Sequence, residues 1–117
     1  MKTISAFTRV PIFEVNLYLE VCDSIPKAAK KFDPVMPPLP EGHDPLACVR
    51  FHKSRFAIFF SKESLASHRH GIIAHEVFHA THRIMQYVQQ GFDVDNHESF
   101  ALLNEWITNW VYSKLDI

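Results

Sequence analysis

The chain has 117 residues, of which 47% are hydrophobic and 21% charged, and its formal net charge is −1. This length predicts one domain, residues 1–117, whose core needs no disulfide staples. The balanced charge gives no case for nucleic acid or an anionic membrane as partner, and no stretch reaches the length of a membrane span. Two isolated cysteines, and an N-terminus without an apolar signal segment, predict a reducing, cytoplasmic location.

The first third of the chain predicts one strand and one short helix. Residues Ile12 to Val21 alternate between apolar and polar side chains, which is typical of a half-buried strand. Residues Ser24 to Phe32 predict a helix that Ser24 caps and that carries Pro26 in its first turn. Residues 33–45 are Pro-rich and predict a long loop, which is a candidate for covering a cleft.

The middle of the chain predicts a hairpin followed by a long helical segment. Strands Ala47–His52 and Arg55–Ser61 meet at a tight Lys53-Ser54 turn, with alternate side chains of the second strand on one face: Phe56, Ile58 and Phe60. Residues 64–90 predict helix, with Gly71 separating a first turn from the main helix and Gly91 ending it. Its apolar stripe comprises Ile73, Val77, Ala80, Ile84 and Val88.

A link from Gly91 to Asp95 leads into a last predicted helix. Its mostly apolar stripe comprises Phe100, Leu103, Ile107, Trp110, Val111 and Lys114. We therefore expect an α+β fold, in which a small antiparallel sheet of about three strands packs on two long helices.

The segment His75-Glu76-Val77-Phe78-His79 is the most informative part of the chain. Helical residues four positions apart lie on one face, so the two imidazoles can hold a single metal ion. Glu76 lies at the neighbouring edge, where it can act as general base toward a water on the metal. The apolar residues around the motif favour this interpretation over two ordinary surface histidines.

A catalytic zinc ion takes three protein ligands and keeps one position for water. Glu98 is the preferred third ligand, because a short link lets its helix pack antiparallel to the first and face the two histidines. Two alternatives remain open: Glu98 as a capping-box residue, or His97 as the ligand with Glu98 beside it. His68 and His82 share the histidine stripe but lie too far along one helix, so we expect them to line the cleft or face solvent.

The two segments Ala-His-Glu-Val-Phe-His-Ala (74–80) and Asn-His-Glu-Ser-Phe-Ala (96–101) resemble the gluzincin clan of zinc metallopeptidases, and more narrowly the minigluzincins. The resemblance covers residues 47 to 115. It implies zinc ligands at His75, His79 and Glu98, Glu76 as catalytic base, and a peptide substrate along the edge strand of a sheet. Strand 55–61 is the expected edge because it is nearest in sequence to the HExxH helix.

One position departs from the gluzincin pattern. Many gluzincins carry an aspartate four residues after the metal-binding glutamate, where this chain has Leu102. Support for the zinc histidines must then come from another group, such as Glu105, Asp93 or Asp95. The metzincin extension of HExxH does not fit, because His82 and Met85 stand in place of its glycine and third histidine.

The expected function is therefore hydrolysis of peptide bonds by a zinc-activated water, with Glu76 as general base and a peptide or protein as substrate. The alternative is a zinc-binding protein of the same fold that has lost its activity, or holds it latent, and acts by association. His70, His82, His97, Tyr87 and Tyr112 are possible oxyanion donors, and the sequence does not distinguish among them.

Overall fold

A computed structural model describes residues 1–33, 45–88 and 97–115. Four strands form one mixed sheet in the order β1-β2-β4-β3. Their bounds are β1 Ile4–Val10, β2 Val15–Cys22, β3 Ala47–His52 and β4 Arg55–Ser61. The predicted α+β class is confirmed. The predicted antiparallel sheet of about three strands is wrong, because β1 adds a strand and β2 runs parallel to β4.

The helices cover both faces of this sheet. Their bounds are α1 Ile25–Phe32, α2 Lys62–Ser67, α3 Arg69–Tyr87 and α4 His97–Leu115. Helix α1 packs on one face around Ala57 and Phe59 of β4, while α2, α3 and α4 pack on the other. The described residues contain no helix long and apolar enough to cross a membrane.

Strand β4 lies at the centre of the sheet and is buried on both faces. Phe56, Ile58 and Phe60 point into the core beneath α3 and α4, as predicted, whereas Ala57 and Phe59 contact the α1 side. A strand covered on both faces becomes a continuous apolar run, which is the pattern of residues 56–60. Strand β2 instead alternates, with Val15, Leu17, Leu19 and Val21 fully buried.

The hairpin between β1 and β2 explains why β2 begins at Val15, three residues after the predicted start at Ile12. Val10 pairs with Val15, and residues 11–14 form the connecting turn. Two turn residues, Ile12 and Glu14, have positive φ angles of 70° and 54°. Left-handed backbone cannot continue a strand, so the alternating pattern from residue 12 onward overstates its length.

The predicted Ser24 cap is confirmed, whereas the predicted helix break at Gly71 is wrong. Ser24 accepts the backbone N–H of Lys27 at the start of α1. The break between α2 and α3 occurs at His68, whose backbone is non-helical, and Gly71 lies inside α3. Helix α3 ends at Tyr87. The predicted stop at Gly91, its link and most of the Pro-rich loop lie outside the described residues.

Helix α4 packs along α3 through the apolar stripe predicted for it. Phe100, Leu103, Ile107 and Val111 are buried, and a polar contact joins the helices where the Thr81 hydroxyl donates to Asn104 Oδ1 at 3.0 Å. Two predicted members of the stripe differ: Trp110 is half-buried and Lys114 is exposed, while Leu115 is buried in their place.

Candidate metal centre

Helix α3 presents the HExxH segment because its two faces differ in polarity. Ile73, Val77, Ala80 and Ile84 are fully buried against the sheet and α4. At 3.6 residues per turn, this leaves the histidines of the motif on the opposite, solvent-facing side. Both His75 and His79 are exposed. The apolar stripe therefore fixes the direction in which both imidazoles point.

The two imidazoles converge on one point in space. Their Nε2 atoms are 3.1 Å apart, and their ring centroids are separated by 4.7 Å. This distance suits one neutral imidazole donating a hydrogen bond to the other. Partial desolvation by surrounding atoms and the neighbouring His75 lower the pKa of His79, so it stays neutral at a lower pH than an isolated histidine. Neutral imidazole is the form that binds metals.

The same distance fits a shared zinc ion. For Zn–N bonds of about 2.0–2.1 Å, two nitrogen atoms 3.1 Å apart subtend roughly 95–102° at the metal. The tetrahedral angle is about 109°, so an opening of a few tenths of an ångström would reach it. Exposed imidazoles on one helix face can make that adjustment by side-chain rotation. The donor chemistry and spacing of this pair therefore fit zinc.

Glu76 differs from both histidines in being buried. Its side chain is 8% exposed, and one carboxylate oxygen lies 3.8 Å from Nε2 of His75. Burial raises the pKa of the Glu76 carboxyl, and the adjacent His75 partly opposes this effect. A carboxylate that is poorly solvated and close to the histidine pair is well suited to accept a proton from a water bound there. The predicted base is thus held next to the predicted ligands.

Among the described residues, no third ligand lies close to the pair. Glu98 lies in the first turn of α4, where it is exposed. In the described parts of the chain, no three His, Cys, Asp or Glu side chains are close enough together to hold a metal ion. The assembled part of the predicted site is therefore His75, Glu76 and His79, and the role of Glu98 stays a prediction.

The other candidate residues have different surroundings. His70 Nδ1 is hydrogen-bonded to the Tyr112 hydroxyl at 2.6 Å, which ties the start of α3 to the end of α4. His82 stacks on Phe78, with ring centroids 6.5 Å apart. Glu105, a candidate for supporting the zinc histidines, lines a cavity formed with residues 10–13. Asp93 and Asp95 lie outside the described residues.

Phe78 is a feature of the site that the sequence pattern did not single out. It lies within the HExxH segment, yet its side chain is 52% exposed. Its ring is 6.2 Å from that of His79 and 5.5 Å from that of Phe100. The apolar ring of Phe78 therefore borders the histidine pair on the side of the pair that faces α4. The buried Glu76 lies on a different face of α3. Exposure of this kind depends on helix packing and leaves no signal in the motif.

The sheet edge beside the site is β3, so the expectation that strand 55–61 supplies it is wrong. Strand β4 is hydrogen-bonded to β2 on one side and to β3 on the other. Among the described residues, β3 pairs only with β4, and α3 contacts it directly. Arg83 of α3 lies over the ring of Phe51 in β3, 5.0 Å from its centroid. The expectation took the strand nearest to α3 in sequence as the edge, but in the chain order β3-β4-α3 that strand is the central one.

Comparison with known proteins adds no relative: no protein-family model, curated protein or solved structure matches this chain. The resemblance to gluzincins therefore stays a prediction carried by the two segments that contain His75–His79 and Glu98.

Proposed function

We propose that this protein is a zinc-dependent metallopeptidase in which His75, His79 and Glu98 bind the metal and Glu76 is the general base. The observation that supports the proposal best is the convergence of the two Nε2 atoms, 3.1 Å apart, with the Glu76 carboxylate 3.8 Å from His75. Two adjacent metal donors and a buried carboxylate supply two of the three protein ligands of a catalytic zinc site and its general base, and Glu98 is the proposed third ligand.

The residues of the chain divide the chemistry among them. When bound, zinc would supply Lewis-acid polarisation of the scissile carbonyl and a more acidic water. Glu76 would take the proton from the attacking water and deliver it to the leaving amine, which prevents expulsion of an amide anion. Its buried position leaves the carboxylate poorly solvated, and its raised pKa favours the proton-carrying state that the second step needs.

Among the described residues, the outer edge of β3 has no strand partner, and this supports a peptide as the substrate. An extended peptide can add to a sheet edge through backbone hydrogen bonds, which are largely independent of its sequence. Strand β3 spans six residues, Ala47–His52, and contacts the helix that carries the histidine pair. A peptide aligned there would pass beside α3 on the Glu76 side. Hydrogen bonds to the edge of β3 would then fix the main chain of the substrate.

The test is hydrolysis of a degenerate peptide library by the zinc-loaded protein, with products identified by mass spectrometry. Glu76→Gln should lower the cleavage rate at least about 100-fold, the range of general-base catalysis, while its zinc content is unchanged. Glu63→Gln is the matched control, because Glu63 is an exposed glutamate of α2 outside the site. Equal cleavage by wild type and Glu76→Gln would contradict the proposal. Zinc binding without any cleavage would favour the alternative of a zinc-binding protein that acts by association.

A further inference from the structure

A second candidate site lies between α4 and the turn that joins β1 to β2. It is a cavity of about 470 Å³, which we call the α4 cavity, and its walls include Ile12, Phe13, Leu102, Glu105, Trp106 and Asn109. None of the three assembled residues of the metal centre lines it. Its volume falls within the range of about 300–1,000 Å³ that is typical of small-ligand sites.

Large apolar side chains are exposed at the α4 cavity. Ile12 is 92% exposed and Leu102 is 58% exposed, and both line it. Trp106 lies between them and the core, where it is partly buried. Contiguous exposed apolar surface is costly in water and marks binding sites more often than single exposed side chains do. The walls therefore favour a ligand with an apolar body.

The turn that carries Ile12 is held in a strained conformation. A φ angle of 70° is rare for a β-branched residue, and Glu14 two residues later is also left-handed. Two backbone hydrogen bonds hold the turn: Phe13 N–H donates to Pro11 at 2.7 Å, and Glu14 N–H donates to Val10 at 3.1 Å. Burial of Ile12 does not explain the strain, because its side chain is outside the core. Strain of this kind is common where backbone is shaped to contact a ligand.

The polar lining indicates the charge of that ligand. Of the described residues that line the cavity, Glu105 alone carries a charge, and it is adjacent in sequence to Trp106. A carboxylate together with an aromatic ring is a combination that attracts an ammonium group, by ion pairing and by cation–π attraction. Asn109, one turn further along α4, can contribute an amide oxygen. An anionic ligand would meet the Glu105 carboxylate without a compensating cation in the described lining.

We propose that the α4 cavity binds a small organic ammonium compound with an apolar body, its cation at Glu105 and its body between Ile12, Leu102 and Trp106. The α4 cavity is distinct from the assembled part of the metal centre, because none of His75, Glu76 and His79 lines it.

The test compares octylamine, octanol and octanoate, which share one apolar chain and differ in the charge of the head group. Binding is followed by Trp fluorescence and by backbone amide shifts in two-dimensional NMR spectra of the full chain. We expect octylamine to bind most tightly and octanoate most weakly, with shifts at residues 10–13 and 99–109. Glu105→Gln should weaken octylamine about two- to fivefold, as expected for an exposed ion pair, and leave octanol unchanged.

Two further variants separate binding from folding. Ile12→Asn removes the apolar rim while keeping a residue that tolerates positive φ, so it should weaken octylamine and octanol without lowering the melting temperature. Glu63→Gln removes the same charge from α2 and should change nothing. Equal affinity for all three compounds would show a plain apolar groove and overturn the proposal. So would an absence of shifts at residues 10–13 and 99–109 at the solubility limit of octylamine.

Discussion

Zinc should raise the thermal stability of this protein through the His75/His79 pair, and the size of the effect can be worked out. A ligand that binds only the folded state stabilises it by about 2.7 kcal/mol at a concentration 100 times its Kd. For a domain of 117 residues, the entropy of unfolding is about 0.25 kcal/mol/K, from about 2.1 cal/mol/K per residue. The melting temperature should therefore rise by about 11 °C at that zinc concentration.

The variants that test this shift follow from the geometry. His79→Ala removes one of the two Nε2 atoms that lie 3.1 Å apart, so the zinc-dependent rise should disappear. His82→Ala removes a histidine that stacks on Phe78 instead, and it should keep the rise. The lowered pKa of His79 means that this ring keeps its neutral, metal-binding form to a lower pH than an ordinary histidine.

Differential scanning calorimetry of metal-free protein, with and without zinc, measures the shift directly. The same rise in His79→Ala as in wild type would refute the assignment, since zinc would then bind elsewhere. Loss of the rise in His82→Ala would place a ligand where the structure has an aromatic stack. A fall in melting temperature on adding zinc would indicate stronger binding to the unfolded chain.

Three other outcomes concern the scaffold around the two sites. Ile73→Ala should lower the free energy of unfolding by about 2–5 kcal/mol in urea titrations, because Ile73 is fully buried beneath the HExxH face; a loss under about 1 kcal/mol would contradict its core position. Ile12→Gly should raise the free energy of unfolding by about 0.5–1 kcal/mol. Left-handed backbone costs a non-glycine residue about 1–2 kcal/mol, and the larger conformational entropy of glycine in the unfolded chain cancels part of that gain. Destabilisation would mean that the exposed Ile12 side chain makes stabilising contacts. Burial raises the pKa of Cys48 to about 12, so about one in ten thousand of its thiols is ionised at pH 8. In a Cys22→Ser background, Cys48 should therefore react with a disulfide reagent about a thousand times more slowly in the folded protein than after unfolding in urea. Equal rates would show that the thiol is accessible and ionised.

Much of the local structure could be predicted because single residues or short periods specify it. The Ser24 cap, the turn at Lys53-Ser54 and the inward face of β4 each depend on a few neighbouring side chains. The histidine pair belongs to the same class, since four residues of helix bring its rings together whatever surrounds them.

The features that sequence could not supply depend on contacts between distant segments. Strand β1 has weak alternation, and its place is set by pairing with β2 along Ile4–Val10. Parallel pairing of β2 with β4, which moves β4 to the centre and leaves β3 at the edge, is a property of the whole sheet. The exposure of Phe78 and the α4 cavity likewise depend on how helices pack, which no single segment records.

The most direct test of the metal centre is zinc content by elemental mass spectrometry, with wild type, Glu98→Ala and His82→Ala purified side by side and dialysed against zinc. We expect close to one zinc ion per wild-type chain, with the zinc lost in Glu98→Ala and kept in His82→Ala. No zinc in the zinc-supplemented wild type would contradict it, and so would full retention in Glu98→Ala, which would remove Glu98 from the ligand set.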